Sequence, residues 1–159
     1  MTSLVDSFDR AILDILQKDN TTPLRLVAEQ VHLSTASVQR RIKRLEESGV
    51  IKANSAIIAP EKVGQIITII VEVHAVHAHA SDMEEMKKSF SGPEIQQCYY
   101  VTGEADFMLV LTVSDMAEYE AISGRLFYNN DNVKWFRTIV VMDRVKATME
   151  TPLPVLSPA

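Results

Sequence analysis

The chain is poor in the residues on which several common chemistries depend. Of its 159 residues one is cysteine, Cys98, which excludes an intramolecular disulfide and a zinc cage built from cysteines. Lying in a β-like stretch, it reads as a packing residue. Only five glycines are present and they are scattered, so no glycine-rich loop exists to cradle a phosphate. There is no Ser/His/Asp nucleophile array and no convincing pair of carboxylates, and the chain is expected not to be an enzyme. The longest apolar run, Ile66 to Val73, is interrupted by Thr68 and Glu72 and is far too short for a membrane span. The first residues lack a signal-peptide pattern, so a cytoplasmic protein without membrane attachment is expected.

What is present is enough apolar residue, 47%, for one ordinary core or two small ones. The net charge of −5 is unevenly spread. Residues 1–60 hold 8 Lys/Arg against 7 Asp/Glu, whereas residues 61–159 hold 8 against 14, so the acid belongs to the second part. A nearly neutral first part with its cations gathered in one place is compatible with double-stranded DNA as partner, with an affinity that depends on dimerisation and on salt.

Those cations form the run Gln39-Arg40-Arg41-Ile42-Lys43-Arg44-Leu45. At helical spacing Val38, Ile42 and Leu45 make one apolar stripe, while Arg40 and Lys43 project from the opposite side with Arg44 and Ser37 beside them. Ser34 can cap this helix and Gly49 can end it, which predicts boundaries near Thr35 and Ser48. The cations Arg40, Arg41, Lys43 and Arg44 would neutralise phosphates, and the helix start would bring Ser34, Thr35, Ser37 and Gln39 near base edges. A charge run alone is as often a solvated face.

The preceding segment decides for DNA. Leu24, Ala28 and Val31 repeat the apolar pattern, and His32-Leu33-Ser34 leaves room only for a tight turn, so the two helices must cross as a helix-turn-helix. A first helix, capped by Asp6 or Ser7 and running to about Asp19, covers them with Ile12, Leu13 and Leu16. Residues 1–6 are expected to fray, and Pro23 suits the first turn of the second helix. A three-helix or winged DNA-binding domain over 1–50 is predicted, followed by an extended hinge strand over 51–64 able to pair with its copy in a second chain.

Over 65–147 the period changes. The runs 66–76, 95–101, 106–113 and 133–145 read as strands. Helices are predicted from Ser81, with acids in its first turn and Lys87-Lys88 near its end, and from Ser114 or Asp115. The second of these helices carries Met116, Tyr119, Ile122 and Leu126. The order βαββαβ predicts a ferredoxin-like α+β sandwich with both helices on one face. In strand 106–113, Phe107, Leu109 and Leu111 fall on one side and Met108 and Val110 on the other. The face without helices therefore needs a cover, and a second copy of the sheet predicts a homodimer. The proline-bearing tail, 148–159, is expected to be extended or disordered.

Two strings resemble the Lrp/AsnC family of transcription regulators over about residues 6–147. One is Val31-His32-Leu33-Ser34 followed by Arg41-Ile42-Lys43-Arg44-Leu45-Glu46; the other is Tyr100-Val101-Thr102-Gly103-Glu104-Ala105-Asp106-Phe107, together with Arg137-Thr138-Ile139-Val140-Val141-Met142. The family often has glycine where this chain has His32, so a positive φ angle at some cost is expected there. The resemblance implies DNA binding controlled by a free amino acid held where dimers meet, and dimers joined into a larger ring, a tetramer of dimers (an octamer). No other cofactor is expected. Gly103 would admit the zwitterion, backbone N–H groups would bind its carboxylate, and Asp106 would receive its ammonium. Tyr100, Thr102 and Thr138, the last from a neighbouring chain, would support it, and Glu104 would favour a cation if turned inward. Apolar neighbouring strands favour leucine or methionine.

By themselves Gly103 and Asp106 would only shape a hairpin. His74, His77 and His79 invite a metal, but His74 falls on the opposite strand face and no third ligand is evident, so no metal is expected. Two alternatives stay open. Siroheme decarboxylases, tetrapyrrole enzymes that use histidines, share a similar two-domain plan, and a ligand-independent DNA-compacting protein would bind many sequences alike.

Overall fold

The computed structural model describes residues 5–77 and 79–153. The expected fraying of the first residues and the expected extended tail fall partly on 1–4 and 154–159, outside the described residues. Two compact units emerge: the described residues up to Ala56 with a returning segment from Lys146, and Ile57–Val145.

In the first unit, helix α1 spans Ser7–Leu16. Its start is a reciprocal cap, because the Asp9 backbone N–H donates to Asp6 Oδ1 (2.9 Å) while the Asp6 N–H donates to Asp9 Oδ2 (3.0 Å). The helix stops three residues short of Asp19. There the carboxylate accepts from the Thr21 N–H (2.9 Å) and hydroxyl (2.6 Å), and this local turn competes with the helix. Helix α2 spans Leu24–Gln30, and Pro23 stands at its cap rather than inside its first turn. His32 takes the left-handed conformation (φ 55°) that the tight turn demands. Helix α3 covers Thr35–Glu47, with Gly49 at φ 73° beyond it.

Ile12, Val27, Ala28, Val31 and Val38 make the core of this unit, and Leu24, Leu33 and Ile42 pack against it. Each large side chain buried this way is worth roughly 1.5–3 kcal/mol, so three short helices that would be marginal alone hold one another. The returning segment has no regular structure up to Leu153, and the Thr151 N–H donates to Gln17 Oε1 at 2.9 Å.

Residues 52–59 are exposed and without regular structure, and a short 3-10 turn over Pro60–Val63 ends at Gly64 (φ 84°). The second unit follows as β1 (Ile67–Ala75), α4 (Ala80–Ser89), β2 (Ile95–Tyr100), β3 (Phe107–Val113), α5 (Met116–Ser123) and β4 (Val133–Val140). The strands lie in the order β2-β3-β1-β4, with β3 antiparallel to both β1 and β2 and β4 antiparallel to β1, which is the ferredoxin-like arrangement.

Strand periodicity sorts the residues cleanly. Ile69, Val71 and Val73 on β1 pair with Leu111, Leu109 and Phe107 on β3, and all six are buried with Met83, Met86, Phe90, Tyr119, Leu126 and Phe127 beneath the helices. One expectation is corrected. The last strand ends at Val140 rather than Val145: after the Val141 N–H donates to Thr68 O (2.9 Å), β1 itself begins, and no partner strand remains. Met116 is exposed, and after Ser123 the helix widens into a π-turn over Gly124–Tyr128 that brings Phe127 inward beside Leu126.

Candidate DNA-binding helix and effector loop

Helix α3 is placed from its first residue, where Ser34 Oγ accepts the Ser37 backbone N–H at 3.2 Å. Thr35, Gln39 and Arg40 are exposed and Ser37 is half-buried. Lys43 is exposed, with its ammonium 3.8 Å from Glu47. On the inner side Val38 and Leu45 are buried, so the stripe anchors the helix as the periodicity predicts.

The four cations do not act alike. Arg41 turns back toward α1, donating from Nη1 to Asp6 Oδ2 (2.7 Å) and Asp9 Oδ1 (2.8 Å), with its guanidinium 5.5 Å from the Phe8 ring. Arg44 donates to Asp9 Oδ2 at 2.5 Å while its side chain stays half exposed. Asp9 is 1% exposed, a buried carboxylate held by two guanidiniums. Burial opposes the charge on Asp6, but the Asp9 N–H and the Arg41 guanidinium outweigh it and hold its carboxyl below the usual range. Sequence reasoning missed Asp9. The signal was available, since Asp9, Ile12 and Leu16 fall on one helical stripe, and an acid inside an apolar stripe asks for a cation.

In the second unit, residues 101–106 connect β2 to β3. Val101 N–H donates to Asp106 O (2.9 Å) and Asp106 N–H to Val73 O (3.0 Å). Asp106 Oδ2 accepts the Ala75 N–H at 2.8 Å, tying the loop to the irregular register at His74/Ala75. Gly103 sits at φ 126° with open space where a side chain would begin, and Thr102 and Glu104 are exposed. The Tyr100 ring lies 5.2 Å from that of Phe107, with Lys87 Nζ 5.1 Å from its centre. The turn thus gathers Tyr100, Thr102, Gly103, Glu104 and Asp106. Thr138 is set apart on β4 opposite Val71, its hydroxyl 2.5 Å from that of Tyr119, whose own phenol burial pushes up. A polar cleft of about 620 Å³ lies elsewhere, lined by Glu85, Ser89, Arg125 and Asn129–Asn132, and includes no expected effector residue.

The helix-free face of the sheet carries Ile70, Met108, Val110 and Ile139 with Tyr99 and Trp135. Its charges cancel within it, Arg137 Nε donating to Glu72 Oε2 at 2.6 Å. The histidines do not converge. His74 is buried and stacked on Trp135 (3.6 Å), while His77 and His79 face each other at 5.7 Å. No group of three or more metal-binding side chains exists among the described residues. No described helix is long and apolar enough to cross a membrane.

Comparison with known proteins matches both units. Residues 5–52 fit the model of a winged helix-turn-helix DNA-binding domain and residues 68–151 that of the Lrp/AsnC ligand binding domain. An uncharacterised HTH-type transcriptional regulator of Sinorhizobium fredii is 43% identical over 152 residues, covering 95% of this chain and 90% of that one. A crystal structure of an AsnC family transcriptional regulator from Agrobacterium tumefaciens superposes with a TM-score of 0.87 at 32% identity, over 93% of this chain and 97% of that one. A transcriptional regulator of Neisseria meningitidis in complex with L-Met superposes with a TM-score of 0.86 at 26% identity, over 93% and 96%.

Proposed function

The chain belongs to the Lrp/AsnC family of transcription regulators, and from that premise we propose that it binds double-stranded DNA through α3 as a homodimer whose occupancy responds to methionine or leucine. The observation that carries the DNA half is the exposed face of α3. Arg40 and Lys43 stand there for phosphates, and Thr35, Ser37 and Gln39 stand near the capped start for base edges, with Ser34 fixing that start. Two such helices in a dimer meet half-sites one helical turn apart, and dimers associate into a tetramer of dimers.

The effector half rests on the loop. With Asp106 Oδ2 engaged by Ala75, Oδ1 is left for the ammonium of an amino acid, and Gly103 lets the carboxylate approach backbone N–H groups. Tyr100 and Thr102 flank it, Glu104 borders it, and Thr138 is assigned to a ligand on a neighbouring chain's loop. The methionine complex of the Neisseria relative and the apolar strands alongside support an apolar ligand. The amino acid changes occupancy by binding two assemblies unequally.

The test is the double variant Arg40→Ala/Lys43→Ala of the full chain, titrated at fixed salt against a duplex selected from a randomised pool by the parent protein. Affinity is expected to fall by about tenfold or more with far-UV circular dichroism unchanged. Unchanged affinity would place the contacts elsewhere.

A further inference from the structure

We infer that Asp9 is a positioning residue for DNA recognition: its buried carboxylate withdraws Arg41 and Arg44 from the phosphate-binding set and fixes the face that α3 presents. This rests on the reading of α3 as the DNA-contacting helix. Arg41 and Arg44 are one turn apart on α3, and both reach the same carboxylate, one on each oxygen. Two attachments at different heights hold the rotation of α3 about its axis as well as its sliding along α1.

Asp6 closes the arrangement from the solvent side, bonding Arg41 Nη1 and sharing a reciprocal cap with Asp9. The two carboxylates balance the two guanidiniums, so the dense basic run offers DNA fewer net cations than its sequence suggests. Breaking the bond between Arg41 and the buried Asp9 would leave that carboxylate with half-exposed Arg44 as its remaining guanidinium partner and one oxygen without its charged donor, which makes it a poor trade for a solvent-exposed phosphate. Half-exposed Arg44 is held by its bond to Asp9 and stays at the edge of the presented face.

Two variants of the full chain, Arg41→Ala and Asp9→Asn, test the assignment. Each is titrated across a series of salt concentrations against a random-sequence duplex and against the pool-selected duplex. For Arg41→Ala the salt slope on random-sequence DNA is expected to match the parent, because Arg41 releases no counterion, while preference for the selected duplex falls by about fivefold or more. For Asp9→Asn the freed guanidiniums reach phosphates, and the slope is expected to steepen by about 1 to 2 with a similar loss of preference. A purely structural role for Asp9 would not steepen the slope. A slope shallower by about 1 in Arg41→Ala would make Arg41 a phosphate contact and overturn the assignment, as would an unchanged preference in both variants. If Asp9→Asn does not fold, the Arg41→Ala slope decides alone. Arg40→Ala separates this failure from failure of the underlying reading: parent binding with no change in Arg40→Ala, or no parent binding at all, would reject α3 as the DNA helix and the role of Asp9 with it.

Discussion

The ionisation of Asp6 links the stability of the helical unit to pH. Its ordinary value is 3.8 and its carboxyl in the folded chain lies lower, despite the opposing effect of burial, because the Asp9 N–H and Arg41 stabilise the anion. A carboxyl with a depressed folded value contributes stability that is fully present above the unfolded value. That contribution is lost as pH falls through the folded value. The urea midpoint of the helical unit, followed by circular dichroism, should therefore drop more steeply below about pH 4 in the parent than in Asp6→Asn. Equal slopes would contradict the pairing. At this scale legibility was uneven. The left-handed His32 was readable because the resembled family often has glycine at that turn position, and glycine there marks a positive φ. The partition of Arg40 and Lys43 from Arg41 was not, because the pattern of one helix carries no information about the acid another helix will bring to it.

Among the elements, the βαββαβ order and the cap of α3 followed from periodicity and from Ser34, and the sheet order agrees. The end of β4 and the π-turn after α5 did not follow. The first depends on where β1 starts, a partner 70 or so residues away, and the second on core packing of Phe127 that no 3.6-residue pattern encodes. The proposed homodimer is assigned to the helix-free face of the sheet. Its apolar side chains lie half-open while Glu72 and Arg137 neutralise each other, a surface that a second copy of itself can cover without stranding a charge. Val110→Glu places an unpaired carboxylate at the centre of that face. By sedimentation velocity the variant is expected to be a folded monomer at concentrations where the parent is dimeric; a retained dimer would move the interface off the sheet.

For the whole molecule, division of the charge at Pro60 separates a nearly neutral helical part from an acidic one, and the structure divides the chain close to that point. Composition could not foresee that the segment from Lys146 returns to the helical unit, where the Gln17 side chain accepts the Thr151 N–H. The turn between β2 and β3 was legible through its Gly-x-x-Asp spacing, while its reading as an effector loop came from the family resemblance. The internal use of Asp106 was not, because the backbone N–H that claims it belongs to a strand 31 residues earlier. The central claim joins the two units: DNA occupancy set by α3 answers to an amino acid held by the loop. The most direct measurement is a gel-shift titration on the DNA upstream of the chain's own gene, against a scrambled duplex, at fixed salt and with each amino acid in turn. The account predicts a selective shift whose midpoint moves with methionine or leucine and ceases to move in Asp106→Ala. Selective binding that no amino acid alters, or a response retained by Asp106→Ala, would contradict it.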